Sequence, residues 1–268
     1  MKVFNKIVKF VDRITDYGIL VFFICFMLMG LYSVYDSYML YAQADDNSIL
    51  KFKPGYESDD AGDVDKELTD GYVAWLSIDD TTVDYPVMQG IDNSEFLNKD
   101  PFGDYSLAGS IFLDFRNKPD FTDAYSLIYG HHMERGLMFG ALDEYRKAGY
   151  LEKHTTGTLI VDDGLTYKIR FFAVLETHAT NESIFSPTEY DDETLPFVLE
   201  NNMYLVEENV PKEGEQLIAL STCRFPDTVQ RTVVFGVLVP PQDISDSGIQ
   251  KPIQKRVTGN GVNRKMQF

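Results

Sequence analysis

The chain has 268 residues, with 24 Lys+Arg against 42 Asp+Glu and a formal net charge of −18. This length suits one large domain or two small ones, and a hydrophobic content of 44% is ample for a packed core, which excludes wholesale disorder. The acidic balance argues against a nucleic-acid binder, because phosphate binding uses clustered Lys and Arg. With only two cysteines, the chain is neither a disulfide-rich scaffold nor a multi-Cys zinc module.

The N-terminus contains a long apolar segment. Residues 17–35, YGILVFFICFMLMGLYSVY, carry no charge, and as a helix they would span about 28 Å, close to the thickness of a hydrocarbon core. Four basic residues precede this segment and acidic residues follow it. The positive-inside rule therefore predicts a cytoplasmic N-terminus over 1–16, a transmembrane signal anchor over 17–35, and an exported remainder.

Two other interpretations of this segment were weighed. A cleaved signal peptide would use Ala42-Gln43-Ala44 as its cleavage site, but the apolar run is longer than the usual h-region of ~7–15 residues. A buried core helix is disfavoured because the neighbouring residues supply no polar face. We therefore expect an uncleaved, single-pass protein of the cell membrane with its larger part outside the cell.

The residues after the anchor are polar and acidic, and 36–70 are predicted to form an extracytoplasmic stalk. Subtracting the four basic and two acidic residues of 1–16 leaves 20 Lys+Arg against 40 Asp+Glu, which we interpret as a solvated acidic surface. Cys25 lies within the anchor, so Cys223 is the only exported thiol. An unpaired cysteine outside the cell suggests a functional role.

From residue 71 onward, short β-branched and aromatic runs alternate with turn residues. Two further segments have helical spacing, Met138–Tyr145 and Asp191–Leu205. This pattern predicts a mainly β domain over 71–240, an eight-stranded and closed or nearly closed barrel with a few helices. The tail, 241–268, has little apolar periodicity and is predicted to be poorly ordered. The predicted strands are 71–78, 82–89, 110–115, 125–130, 156–163, 165–179, 216–223 and 231–239.

Three groups of residues that could take part in catalysis lie at the ends of predicted strands. A histidine pair, His131 and His132, leaves one strand, Cys223 ends another, and Arg231 begins the next. A cysteine nucleophile needs a base or cation to supply its thiolate, and a developing oxyanion needs a fixed donor. Taken alone, a cysteine at a strand end is more often an inert small hydrophobe, the histidine pair could be ordinary loop residues, and the arginine could be a surface charge. Their combination therefore carries the prediction.

Two further interpretations concern neighbouring residues. Adjacent histidines rarely point at one ion, and no carboxylate stands at a familiar spacing, so neither a metal site nor a cofactor is predicted. Ser221 lies two residues before Cys223 and shares its strand face, where it could orient the substrate or the thiolate. Together with Thr222 it is a candidate substrate-binding residue.

The motifs WLSIDDTTVDYPVMQ, GSIFLDFRN, LIYGHHM and LSTC, followed by Arg231, resemble a sortase, closest to class B, over residues 70–240. Sortases are membrane-anchored cysteine transpeptidases of Gram-positive bacteria with an eight-stranded barrel. The resemblance implies that Cys223 is the nucleophile, His131 the acid/base partner and Arg231 the stabiliser of substrate and oxyanion. His131 is preferred to His132 because it stands in the Y-G-H position.

The resemblance also implies the partners. The substrates would be surface proteins bearing a C-terminal sorting motif similar to N-P-x-T-[NG] or P-x-T-G, cleaved after Thr. The acyl group would pass to an amine of a cell-wall precursor, lipid II, or to a pilin lysine. Membrane lipid is the remaining expected partner, and nucleic acid is not expected.

The tripeptide Asp100-Pro101-Phe102 resembles the lid of pilus-building class C sortases. It follows the first predicted strand instead of preceding it, and is interpreted as a loop.

Three alternative functions stay open at this stage. Pilin polymerisation remains an alternative role. A papain-like exported peptidase usually places its cysteine before its histidine, unlike this chain, and an anchored β-barrel adhesin would not need an activated thiol.

Overall fold

A computed structural model describes residues 2–44, 47–56, 66–187, 193–223 and 229–241, with backbone alone for Lys2, Val3, Gln43, Asn47 and Cys223. The predicted tail 241–268 lies outside these residues except for its first position, and the stalk is described except for 45–46 and 57–65. Helix α1 spans Lys2–Ala44. Its segment Phe4–Ala42 contains an 18-residue window with a mean hydropathy of 2.2 and is long and apolar enough to cross a membrane.

Helix α1 therefore extends beyond the predicted span 17–35 at both ends. Neither flank contains a Gly or Pro, and the C-terminal flank, DSYMLYAQA, includes the strong helix formers Met, Leu, Ala and Gln. A 3₁₀ helix follows over Asn47–Phe52. The first part of the predicted stalk is thus helical.

All eight predicted strands are present. The structure adds one short strand, Tyr204–Leu205, inside the segment predicted as helix Asp191–Leu205. Helix α3, Thr194–Asn201, ends because Asn202 is extended, and the short strand then pairs with the long strand Thr166–His178. The strands are β1 Tyr72–Ile78, β2 Asp84–Met88, β3 Ile111–Leu113, β4 Tyr125–Gly130, β5 Thr156–Val161, β6 Thr166–His178, β7 Tyr204–Leu205, β8 Gln216–Cys223 and β9 Gln230–Val239.

The sheet has the strand order β5-β1-β2-β3-β4-β8-β9-β6-β7, and an additional pairing joins β5 to β6. That pairing closes eight strands into a barrel, and β7 extends from the side of β6. The β2–β3 and β4–β8 pairs are parallel and the others antiparallel. The predicted eight-stranded barrel of mixed pairing is confirmed.

The buried apolar residues of the described chain form three clusters, and the two main ones lie on opposite faces of the sheet. The larger cluster includes Phe139 and Leu142 from the 3₁₀ helix Phe139–Arg146, which replaces the predicted helix Met138–Tyr145. The smaller cluster packs helix α2, Glu182–Phe185, and helix α3, Thr194–Asn201, against the other face. Strands β6, β8 and β9 contribute to both clusters, which explains their nearly continuous apolar sequences.

Candidate active site

The strand register brings the three predicted chemical residues to one edge of the barrel. Gly130, the last residue of β4, pairs with Thr222 of β8, and Cys223 pairs with Arg231 of β9. His131 follows Gly130 directly. Because paired strands lie about 5 Å apart, the backbones of His131, Cys223 and Arg231 stand on three adjacent strand ends.

A cleft of about 270 Å³ opens at this edge. Three of the predicted site residues line it, and aromatic and aliphatic side chains make up much of the remainder, as is typical of ligand-binding clefts. Thr222 is absent from this lining. The lining residues are Asn93, Leu97, Phe112, Tyr129, Gly130, His131, Ala179, Phe185, Ser221 and Arg231.

The two histidines point to different surroundings. His131 is half-buried in the cleft, and its Nε2 lies 2.6 Å from the carbonyl oxygen of Leu97. Since a carbonyl only accepts, Nε2 carries a proton and donates it. His132 Nε2 lies 2.7 Å from Asp143 Oδ2 and borders a separate cavity. The structure therefore places His131, and not His132, with Ser221 and Arg231.

The polar residues at the ends of β8 and β9 differ in their burial and in whether they border the cleft. Ser221 is 1% exposed and borders the cleft, and its Oγ has no hydrogen-bond partner among the described residues. A buried hydroxyl without a partner is costly, so Ser221 is suited to bond a ligand. Thr222 is also buried but faces the opposite side of the strand. Arg231 is half-buried, and its Nη1 donates to the carbonyl oxygen of Gln230 at 3.2 Å.

A buried ionic network behind the cleft was not predicted from the sequence. Asp114, at the end of β3, is 0% exposed and accepts two hydrogen bonds from Arg116, both at 2.8 Å. Tyr129 Oη and Asn93 Nδ2 also donate to it, at 3.1 and 2.9 Å. Arg116 then donates to the carbonyl oxygen of Phe185 at 2.6 Å, which ties α2 to the cleft. The charged residues directly after an apolar strand in FLDFRN were the available signal.

Burial and hydrogen bonding oppose each other in this network. Burial alone would raise the pKa of Asp114, but the hydrogen bonds from Arg116 and Asn93 outweigh it and hold that pKa below its ordinary value. Burial raises the pKa of Tyr129, and the nearby charge of Asp114 raises it further. Tyr129 is therefore a neutral hydrogen-bond donor at the wall of the cleft.

Gly130 occupies a position with no room for a side chain. A Cβ there would lie 2.4 Å from Ile111 Cδ1 and 2.7 Å from the ring of Phe139. Both neighbours belong to the larger core cluster, so neither can move freely. The glycine thus lets β4 run against the core up to the residue before His131.

A sortase-domain family model matches residues 76–239, more than half of the chain. The chain belongs to the sortase family. It is 35% identical over 210 residues to sortase B of Listeria monocytogenes, covering 73% of this chain and 83% of that protein. The class assignment predicted from the motifs is therefore confirmed, and this sortase is a class B cysteine transpeptidase.

Solved structures agree with this assignment. A class B sortase of Streptococcus pyogenes involved in pilus biogenesis matches with a TM-score of 0.59 and 36% identity, over 64% of this chain and 94% of that one. The Staphylococcus aureus sortase B–substrate complex matches with a TM-score of 0.59 and 27% identity, over 65% and 82%.

Within the described ranges of this sortase, no group of three or more His, Cys, Asp or Glu side chains is placed to hold a metal ion. The polar groups that border the cleft are instead a protonated imidazole nitrogen, a guanidinium and an unpaired hydroxyl. These groups suit proton transfer and the stabilisation of a developing negative charge on oxygen.

Proposed function

We propose that this sortase uses Cys223 as nucleophile, His131 as acid and base, and Arg231 as oxyanion stabiliser. The observation that carries the proposal is the register, in which His131 follows the Gly130–Thr222 pair and Cys223 pairs with Arg231. His131 and Arg231 also line one cleft with Ser221. Ser221 is proposed to bond the bound peptide. Thr222, buried on the other face, is not proposed to contact it.

The proposed reaction has two halves. The Cys223 thiolate attacks the carbonyl carbon of a Thr in the sorting motif, and the oxyanion accepts hydrogen bonds from Arg231. His131 protonates the nitrogen of the leaving segment as its C–N bond breaks, which leaves a thioester. An incoming amine then attacks the thioester, His131 takes its proton, and the thiolate departs.

The proposed substrates are surface proteins with a sorting motif of the N-P-x-T-[NG] or P-x-T-G type, and the proposed acceptor is the amine of a cell-wall precursor such as lipid II. The support is the sortase B name of the curated relatives and the substrate complex of one structural relative. Transfer to a pilin lysine is the second candidate, because a relative 36% identical in sequence is involved in pilus biogenesis.

The test uses the full chain in detergent micelles with peptides of both motif types, each offered an oligoglycine amine, a lipid II-type amine or a pilin lysine peptide. Mass spectrometry should find an acyl adduct on Cys223 that hydroxylamine releases, and a new amide to one class of amine. Cys223→Ala should form neither. Formation of the new amide by Cys223→Ala, or the absence of an acyl adduct with every peptide, would contradict the proposal.

We further propose the arrangement of the chain in the cell. Residues 1–16 are cytoplasmic, the apolar part of α1 over 17–35 spans the membrane, 36–70 link it to the domain, and 71–240 are the catalytic domain outside. The support is the basic N-terminal flank and the helix that is long enough to cross a membrane. Protease added to intact cells should remove the domain and spare the N-terminus. A domain protected until lysis would overturn this topology.

A further inference from the structure

The loop that carries His131 is closed at its base, and Met133, Leu137 and Met138 pack into the larger core cluster. Phe139 N donates to the carbonyl oxygen of His131 at 3.0 Å, and a β-bridge joins His132 to Met138, so the two ends of the loop are tied together. The tip is the short 3₁₀ turn Glu134–Gly136. We call residues 131–139 the histidine loop.

The barrel holds one side of the histidine loop. Thr82 Oγ1 donates to the carbonyl oxygen of Gly136, and the backbone N–H of Met138 donates to Tyr85 Oη at 3.1 Å. Both partners lie in or beside the start of β2. The barrel therefore contacts the C-terminal part of the loop.

The end of helix α1 holds the tip from another direction. The guanidinium of Arg135 lies 4.9 Å from the centroid of the Tyr41 ring, and Tyr41 Oη donates to Glu134 Oε2 at 3.4 Å. The helix end is itself fixed, because Leu40, Tyr41 and Ala44 pack, partly buried, against the larger core cluster. A side chain at the end of the apolar helix thus contacts the tip of the loop that bears His131.

The backbone at this contact is strained. Arg135 has a φ of +63°, in the left-handed region that residues other than glycine rarely adopt. Such a conformation persists only where surrounding contacts hold it. The Tyr41 ring supplies one such contact to the side chain of the strained residue.

We propose that Tyr41 is a positioning residue for His131. The ring of Tyr41 contacts Arg135, and this contact keeps the tip of the histidine loop in its strained turn. Because the loop is closed at its base, a fixed tip keeps the His131 imidazole against Leu97 in the cleft. The inference rests on the proposed role of His131 as acid and base. It couples the membrane-proximal end of α1 to the proton-transfer step.

The position of Tyr41 predicts which kinetic constant it affects. Tyr41 does not line the cleft, so the binding of a sorting peptide should not depend on it. A loosened loop instead lowers the fraction of enzyme with His131 in place. The loss should therefore appear in kcat, with KM for the peptide little changed.

The experiment measures peptide turnover and thermal unfolding of the full chain in nanodiscs. Tyr41→Ala should lower kcat about fivefold, the size of a lost exposed cation–π contact, whereas Tyr41→Phe keeps the ring and should stay within about twofold of wild type. The matched control is Tyr38→Ala, on the same helix and 68% exposed, which should leave kcat unchanged. Arg135→Ala should match Tyr41→Ala, and the double variant should fall no further.

The outcomes separate this inference from the proposed function. If Tyr41→Ala equals Tyr38→Ala, changes KM alone, or adds fully to Arg135→Ala, the inference is wrong. A kcat loss explained by a lower unfolding temperature, with no rescue by Tyr41→Phe, also overturns it. If His131→Ala keeps wild-type turnover, the proposed function fails instead. If Tyr41→Ala leaves kcat unchanged while His131→Ala abolishes turnover, only the inference about Tyr41 is overturned.

Discussion

The two halves of the candidate site are placed by different physical means. Ser221 and Arg231 lie on paired strands, so the register and the alternation of side chains determine where they point. His131 and His132 are adjacent on a loop, and in the folded chain their separate partners, Leu97 and Asp143, distinguish them. A strand-borne residue can therefore be assigned from pairing alone, whereas a loop-borne residue needs the contacts of the folded chain.

The largest effect should distinguish the two histidines. His131→Ala removes the proposed acid and base and should lower peptide turnover by at least ~10³-fold. His132→Ala should cost less than about tenfold, because it removes only the contact with Asp143, and Asp143→Asn should match it. Turnover with a fluorogenic sorting peptide provides the measurement. A His132→Ala variant less active than His131→Ala would reverse the assignment within the loop.

The next effect tests the strand-borne half. A guanidinium offers a rigid fork of donors that an ammonium group cannot copy, so Arg231→Lys and Arg231→Ala should both lose ~10²–10³ in turnover. Alkylation of Cys223 by a small reagent develops no oxyanion and should change much less. Near-normal turnover in Arg231→Lys would show that the oxyanion donor lies elsewhere, for example in backbone N–H groups.

A smaller effect is expected where the two halves join. Gly130→Ala places a Cβ against Ile111 and Phe139, so β4 or the start of the histidine loop must shift. Overpacking of this kind typically costs about 1–3 kcal/mol of stability, and displacement of His131 should lower kcat about tenfold. Chemical denaturation and turnover measure the two effects. Gly130 itself has no positive φ, so the effect of Gly130→Ala comes from the clash and not from backbone strain.

The sequence predicted the barrel well because its eight strands are β-branched or aromatic runs separated by turn residues. It did not predict β7, because Tyr204 and Leu205 follow a helical pattern and become a strand only by pairing with β6. It placed Cys223 and Arg231 at adjoining strand ends, and the register agrees. The helical extension of α1 to Ala44 was also missed, since the polar and acidic composition of 36–70 as a whole indicated a stalk.

The buried network behind the cleft was beyond sequence reasoning for a related reason. Asp114 and Arg116 are two positions apart, which predicts no more than a local surface pair. The other hydrogen-bond partners of the pair are distant in sequence. Tyr129 and Asn93 donate to the Asp114 carboxylate, and Arg116 donates to the carbonyl oxygen of Phe185. Only the folded chain brings these distant residues to the buried Asp114–Arg116 pair.

The smallest expected effect concerns that charge and depends on pH. Folding lowers the pKa of Asp114 below its ordinary value, since the hydrogen bonds from Arg116 and Asn93 outweigh the effect of burial. The unfolded chain therefore binds this proton more tightly, so the stabilisation is complete above about pH 4–5 and is lost as the pH falls through the lowered pKa. Asp114→Asn keeps the shape but removes the charge.

At pH 7, Asp114→Asn should lower the free energy of unfolding by about 1–3 kcal/mol, the usual cost of a lost charged hydrogen bond. Because wild type itself loses this contribution in acid, the difference between the two proteins should shrink steadily below about pH 4. Urea unfolding across pH 2–7 gives the comparison. Asp104→Asn, with a side chain that is 66% exposed and paired with Lys66, should show little difference at any pH. A gap between Asp114→Asn and wild type that stays constant down to pH 2 would mean that the ionised carboxylate is not what stabilises the network.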